Sequence, residues 1–353
     1  MKATSILSEV WRNVVSGTAR VPLFAALIGV IAGLGAAAEI ATVHGLHSDA
    51  RAYIDGGGAT QYIVAEGSIG TPSCEALTTY QNVEAAGALR PTAEVKIDAL
   101  PGTTFEAYEV TSGFGALLGI DSHRDGVWIS QDLAESLGLH EGSTVPSEDR
   151  QLRVAGVFEY PNDGRDTRLS HAILVPVPVG AEAFDECWMR SWPQSPDGEG
   201  ILRSALASAE GSEVAISQLN KSLAAQFDGP VSFVERLTRW VPLVTVSGGF
   251  LAGLAWTRRR KLEYASALHA GQSRAALTAG AVLETLVWAL LGTMLAGVAA
   301  WSTALALMPE EIDWAPTLLI PPLLSAATGP VIGALCGAFL VRESDLFRYF
   351  KDR

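Results

Sequence analysis

No GxxxxGK[ST] loop, HExxH, GxSxG or CxxC motif occurs in these 353 residues. The first absence removes the backbone cradle and lysine by which a chain grips ATP phosphates unaided. The others remove the usual marks of zinc proteases, serine hydrolases and thiol redox enzymes. Histidine is scarce and scattered, with six in all. Catalysis by this chain is not expected, and neither is a cofactor bound directly to it. Lysine is scarcer still, five against twenty arginines. The chain is acidic overall, at −13, and nucleic acid is not an expected partner because its acidic bulk holds nothing to neutralise phosphates.

Charge is missing from four long stretches. Leu318 to Val341 and Val241 to Trp256 have none; Leu277 to Leu307 has only Glu284, and Val21 to Val43 only Glu39. Helices of about 17 to 25 apolar residues span about 30 Å of hydrocarbon. Val241 to Trp256 is slightly short, but Trp240 and Trp256 bracket it as interfacial aromatics do. Four membrane spans are the expectation; buried helices of a soluble protein are the alternative.

Short loops rich in Arg and Lys stay in the cytoplasm. Residues 1–20, the 257–276 connector and the 342–353 tail together carry +7, whereas 44–240 carries −15. The loop 308–317 holds Glu310, Glu311 and Asp313 without a base. The expected order is therefore a cytoplasmic amphipathic helix (1–20), a span (21–43), an extracytoplasmic domain (44–240), a span (241–256), a cytoplasmic connector (257–276), a span (277–307), an outer loop (308–317), a span (318–341) and a cytoplasmic tail (342–353). Small residues Ala36 to Ala38 imitate a signal-peptide cleavage site. The helical spacing of Ile6, Leu7, Val10, Trp11, Val14 and Val15 instead predicts a retained helix on the inner membrane face.

The external region reads as mixed α/β. Strands are predicted at Gln61 to Ala65, Thr92 to Ile97, Gly126 to Ser130, Leu152 to Glu159 and Ala172 to Val175; helices at Cys74 to Ala86 and Gln131 to Leu137, the latter ended by Gly138. Ser191 to Gly200 reads as a flexible joint between lobes, and Val214, Leu219, Leu223 and Phe227 as a helix face. Cys74 and Cys187 both fall here, where an oxidising compartment permits a disulfide; two free thiols are the alternative. Cys336 falls in the last span.

Gly29-x-x-x-Gly33 and Gly249-x-x-x-Gly253 have the spacing that lets helix backbones approach, as at a dimer interface. Glu39 and Glu284 lie near span ends, where the reading is interfacial snorkelling, with substrate contact or gating as the alternative. His44 and His47 form an i, i+3 pair, either a solvated stalk face or a haem or metal ligand pair. Pro330 is expected to kink the last span.

The connector carries Arg258, Arg259, Arg260, Glu263, Ala267, Leu268, Ala270, Gly271, Ser273 and Arg274, with Glu284 following early in the next span. This pattern, with the order amphipathic helix, span, large external domain and three spans, resembles the MacB and FtsX superfamily of ABC-transporter permeases. The pattern departs at Tyr264, His269 and Gln272. The segment VWISQDLAESLGLHEGSTV followed by LRVAGVF also looks like the family's periplasmic core domain. The resemblance implies a coupling helix made of Lys261 to Ala270, docking on a separate ABC ATPase through Lys261, Leu262, Glu263, Tyr264, Leu268 and Gly271. ATP and Mg²⁺ would be held by that ATPase. It also implies two permease copies, identical or related. Lipid anchoring is the plainer reading of the arginines. The expected role is export of a peptide, antibiotic or lipid-like substrate; alternatives are mechanical activation of a cell-wall hydrolase or other outside partner, and a receptor without ATPase coupling.

Overall fold

A computed structural model of the chain describes residues 3–98, 102–120, 125–147, 150–180, 182–207 and 213–351. Lys2 and Arg353, counted among the basic flanks, lie outside the described residues. The chain divides into two compact units, residues 49–228 and the remainder, 1–48 with 229–353.

The second of these units is helical. Its principal helices are α1 (Ala3–Val15), α2 (Val21–Asp55), α3 (Val241–Arg259), α4 (Lys261–His269), α5 (Arg274–Leu307) and α6 (Ala315–Leu340). Four helical stretches are long and apolar enough to cross a bilayer: Val21–Asp55, Gly229–Arg259, Arg274–Leu307 and Ile312–Leu340. Many small residues lie inside and many large apolar ones outside. Ala25, Ala32, Ala252, Ala289, Ala296 and Ala334 are buried, whereas Leu34, Leu251, Met294, Val298, Leu324 and Phe339 are exposed. Phe24, Ile28, Ile40, Trp256 and Trp288 are buried beside these alanines, but so many large apolar side chains facing outward suit helices whose surroundings are themselves apolar.

Glycine determines how closely these helices approach. Along α3 and α6 the backbones run side by side: a Cβ at Gly253 would lie 2.0 Å from the Pro330 carbonyl oxygen, and one at Gly333 2.0 Å from that of Phe250. Gly329, Gly333 and Gly337 recur every four residues and give α6 a smooth face. Gly249 receives the Pro330 ring, whose Cδ would sit 2.6 Å from an added Cβ. On α2, Gly29 faces Gly292 of α5 and Gly33 faces Ala296. The two small-residue motifs expected to meet a second copy are thus occupied by helices of the same chain. Gly249 and Gly253 are buried by these contacts, and Gly29 and Gly33 are half-buried.

Residues 49–228 form the sheet unit. Its strands are β1 (Thr60–Gly70), β2 (Val83–Pro91), β3 (Val95–Lys96), β4 (Thr104–Phe105), β5 (Ala107–Thr111), β6 (Val127–Ser130), β7 (Thr144–Ser147), β8 (Arg150–Phe158), β9 (Ile173–Val177), β10 (Ala183–Ser191) and β11 (Ala215–Gln218). Nine pair in the order β11-β1-β10-β2-β5-β9-β6-β8-β7, antiparallel except β5 with β9 and β6 with β8; β3 and β4 form a separate ribbon. Alternation supplies two cores: Tyr62 and Trp188 face one side, Ile63, Cys187 and Met189 the other. The Gln131–Leu137 helix begins as read, with Ser130 Oγ accepting from the Leu133 amide, and ends at Gly138 with φ 67°.

Two predicted helices fail. Beyond Cys74 the helix is only Thr71–Glu75 with a short 3₁₀ turn, and Val83 begins a central strand. The alanine-rich β2 sequence is recruited by pairing on both sides with β10 and β5, and Gly87 leaves room for Phe114, whose amide nitrogen would be 2.3 Å from an added Cβ. Likewise Ala215–Gln218 is an edge strand on β1. The expected strand at Thr92 to Ile97 shrinks to β3. The supposed joint after Ser191 is pinned inside the sheet unit: Gln194 donates to the Tyr53 hydroxyl at 3.1 Å and accepts from the Phe227 amide at 2.9 Å, and Trp192 packs on Phe227.

The polar centre of this unit is a bidentate pair. Arg168 donates to both Glu186 oxygens at 2.5 and 2.7 Å, and Trp188 Nε1 donates to Glu186 at 2.8 Å. Burial opposes the Arg168 charge, yet Glu186 and Asp166 hold its pKa above the ordinary value.

Cys74 and Cys187 are bonded, with Cα atoms 5.8 Å apart across 113 residues of sequence. We expect Cys74→Ala with Cys187→Ala to destabilise the sheet unit by about 2–5 kcal/mol, read as a lower denaturant midpoint; an unchanged midpoint would mean the bond is structurally idle. For the helical unit, Gly333→Leu should lower the thermal midpoint in detergent through overpacking of about 1–3 kcal/mol or more. Gly280→Ala, which meets nothing within 4 Å, should leave it unchanged.

Candidate functional site

The connector is built by local backbone chemistry. α3 ends at Arg259, and Arg260, with φ −101° and ψ 13°, breaks the helix before α4 starts at Lys261. At the far end Gly271 adopts φ 89°; its amide donates to Leu268 and that of Gln272 to Ala267, at 3.0 Å each. That is the Schellman pattern, which needs a residue at ease with positive φ. Ser273 then caps α5 by accepting from the Ala276 amide at 3.3 Å. Gly271 therefore acts as a stop signal for α4.

Arg260 is the hub. Its guanidinium bonds Glu284 of α5 and, through Nε, Glu263 at 2.7 Å, and lies over the rings of Trp256 and Tyr264 at 5.3 and 5.2 Å. The other Glu284 oxygen accepts from Asn13 Nδ2 of α1 at 2.6 Å. One buried carboxylate thus ties together the N-terminal helix, the connector and α5. The expectation that Glu284 snorkels to water is corrected: it is 3% exposed and satisfied inside the protein.

Glu39 behaves alike. It is 3% exposed and pairs with Arg236 Nε at 3.2 Å, while Arg236 lies 3.9 Å over the Phe233 ring. The Gly29–Gly292 and Gly33–Ala296 contacts run α2 parallel to α5, and the same register sets Glu284 level with Val21. Eighteen residues separate Val21 from Glu39, about 27 Å at about 1.5 Å per residue, close to a bilayer's hydrocarbon thickness. His47 meets Glu311 at 3.4 Å. Among the described residues, no three His, Cys, Asp or Glu are grouped to hold a metal ion.

The six connector residues expected to dock an ATPase do not share one face. Tyr264 is buried, its hydroxyl has no partner among the described residues, and burial pushes its pKa well above the ordinary value. Leu268 is partly covered by the chain's own core, Leu262 is half-buried, and Lys261 Nζ sits 4.9 Å from the Tyr349 ring. Helical phase explains this: Tyr264, Ala265 and Leu268 share the inward side. Exposed are Glu263, Ser266, His269 and Ala270, with His269 Nδ1 3.0 Å from Glu343. Asn13 and Arg236 were missed because neither polar partner lies near its acid in sequence. The Gly329, Gly333, Gly337 spacing was a readable signal.

No family model matches the chain, and no curated protein matches it by sequence. Solved structures similar to it include the periplasmic region of MacB from Actinobacillus actinomycetemcomitans, with TM-score 0.36, 13% identity, and coverage of 47% of this chain and 91% of that one. A domain of a putative permease protein from Porphyromonas gingivalis gives TM-score 0.32, 14% identity, and coverage of 51% and 97%.

Breaking a buried ion pair strands a charge, whereas removing both partners does not. Arg260→Met and Glu284→Met should each lower stability by about 3–5 kcal/mol, with most of the loss restored in the double variant. Thermal midpoints in detergent would show it, and additive losses would remove the pairing from the account.

Proposed function

We propose that this chain is a membrane permease subunit of an ABC-type assembly of the MacB and FtsX kind. It spans the membrane four times and converts ATP hydrolysis by a separate subunit into movement of its extracytoplasmic sheet unit. The observation that carries the reading is the short α4 helix, bounded by arginines, locked to α5 and α1 through Arg260, Glu284 and Asn13, and open on its far side. Lipid anchoring accounts for the arginines but not for a capped helix with a free face.

Supporting the membrane placement are the four long apolar helices with large residues outward, and the two ion pairs about one hydrocarbon thickness apart. Supporting a partner for energy supply is the absence of any phosphate loop in this sequence. On this reading both termini and the connector are cytoplasmic, ATP and Mg²⁺ belong to the partner ATPase, and a second permease copy completes the complex. The work done outside is export of a peptide, antibiotic or lipid-like substrate.

On this reading the partner docks on the exposed side of α4, at Glu263, Ser266, His269 and Ala270, rather than through the half-buried Leu262 and Leu268. Ser266→Arg with Ala270→Arg should abolish co-purification of an ATPase with the tagged chain in mild detergent, while yield and thermal midpoint stay as in the parent. Undiminished ATPase recovery from that variant would refute docking on this face.

A further inference from the structure

Beside the connector lies a concavity with two arginines that the proposed coupling does not use. The turn between α1 and α2, the end of α3 and the start of α4 border a cleft of about 570 Å³ whose lining includes Ser16, Thr18, Arg20, Arg259, Arg260 and Glu263, with Phe24 and Trp256. Its charges divide into two kinds. Arg260 and Glu263 are bonded to each other at 2.7 Å and, through Arg260, to Glu284. Arg20 and Arg259 are exposed, and their guanidinium groups have no hydrogen-bond or ion-pair partner among the described residues. The lining therefore carries two uncommitted positive charges.

The remaining walls suit the same occupant. Ser16 and Thr18 hydroxyls lie 2.9 Å from each other at the rim. Trp256 is buried and fixed by donation from Nε1 to the Ala19 carbonyl at 3.3 Å, and Phe24 is 5% exposed. From the cleft, α2 continues with Leu23, Leu27, Val30 and Leu34 exposed along one side, a stripe at i, i+4, i+7 and i+11. Two free guanidiniums with hydroxyls match phosphate oxygens, and an apolar stripe leading away matches an acyl chain. Basic pockets at the cytoplasmic ends of spans hold lipid head groups in this way.

We propose that this cleft binds the phosphate head group of an anionic membrane phospholipid, its acyl chain lying along α2. The site rests on the membrane placement given above, but not on ATPase docking. Bound there, a lipid would hold the α1–α2 turn against the end of α3.

The full chain in mild detergent, examined by native mass spectrometry with phosphatidylglycerol and with phosphatidylcholine of the same acyl chains, provides the test. Phosphatidylglycerol should be retained preferentially. Arg20→Gln with Arg259→Gln should weaken it roughly fivefold per arginine, on the order of thirtyfold together. Arg258→Gln with Arg274→Gln, an equal charge change outside the cleft, should leave retention unaltered. Equal losses in the two variants would reduce the effect to general electrostatics and overturn the site. Displacement by millimolar inorganic phosphate would overturn the lipid assignment in favour of a plain anion site. Recovery of the chain in the soluble fraction without detergent would remove the membrane reading itself, an outcome distinct from a detergent-dependent chain without lipid preference.

Discussion

A carboxylate buried among apolar helices must find its counter-charge within the protein, because no water is there to solvate it. Glu284 meets that demand through Arg260 and Asn13, and the arrangement of the connector follows. Arg260 can reach α5 only because the chain breaks between α3 and α4 at that residue. The break sets the phase of α4, which buries Tyr264 and Ala265 and leaves Glu263, Ser266 and His269 outward. Asn13 reaches the same carboxylate only if α1 lies against α5, and Val10 is buried as it does so.

Backbone proximity is the second constraint. Helices that cannot rely on water to drive them together associate by close packing, and here α3 and α6 approach until added methyl groups would overlap carbonyl oxygens. Such a seam resists sliding as well as separation. Pro330 seated at Gly249 reinforces this: a ring in a notch keeps the register of the two helices fixed.

Much of this was legible in the sequence and some was not, for physical reasons. Charge-free runs identified the long helices because their composition differs sharply from that of any polar segment. β6, the helix after it and β8 were readable because Ser130 and Gly138 give local start and stop signals. β2 was not, since alanine-rich VEAAGALRP favours helix locally and becomes strand only through β10 and β5, distant in sequence. The Cys74–Cys187 pairing was permitted by the sequence but needed the fold to bring the sulfurs together. Glycine spacing revealed close helix contacts but not whose helix lies opposite, because one chain's sequence carries the same pattern for an internal seam as for a dimer. The connector's boundaries were readable; its inward and outward faces were not, because Arg260's partner sits twenty-four residues away.

These constraints bear on how force would pass through the helical unit. If a partner docks on the outer face of α4 as proposed, it would press on a helix too short to bend and capped at Gly271. Its displacement is shared at Arg260 between α3, whose end Arg260 follows, and α5, which holds Glu284. Opening that pair would leave two charges unpaired in surroundings that solvate them poorly, at a penalty of several kcal/mol, about the scale of a conformational equilibrium's whole bias. On the proposed reading the connector would move α5 with it more readily than detach, and the register of α2 against α5 would carry the same movement toward the level of Glu39 and Arg236. A conservative exchange of lysine for Arg260 would keep the charge yet lose the planar fork that reaches Glu284 and Glu263 together.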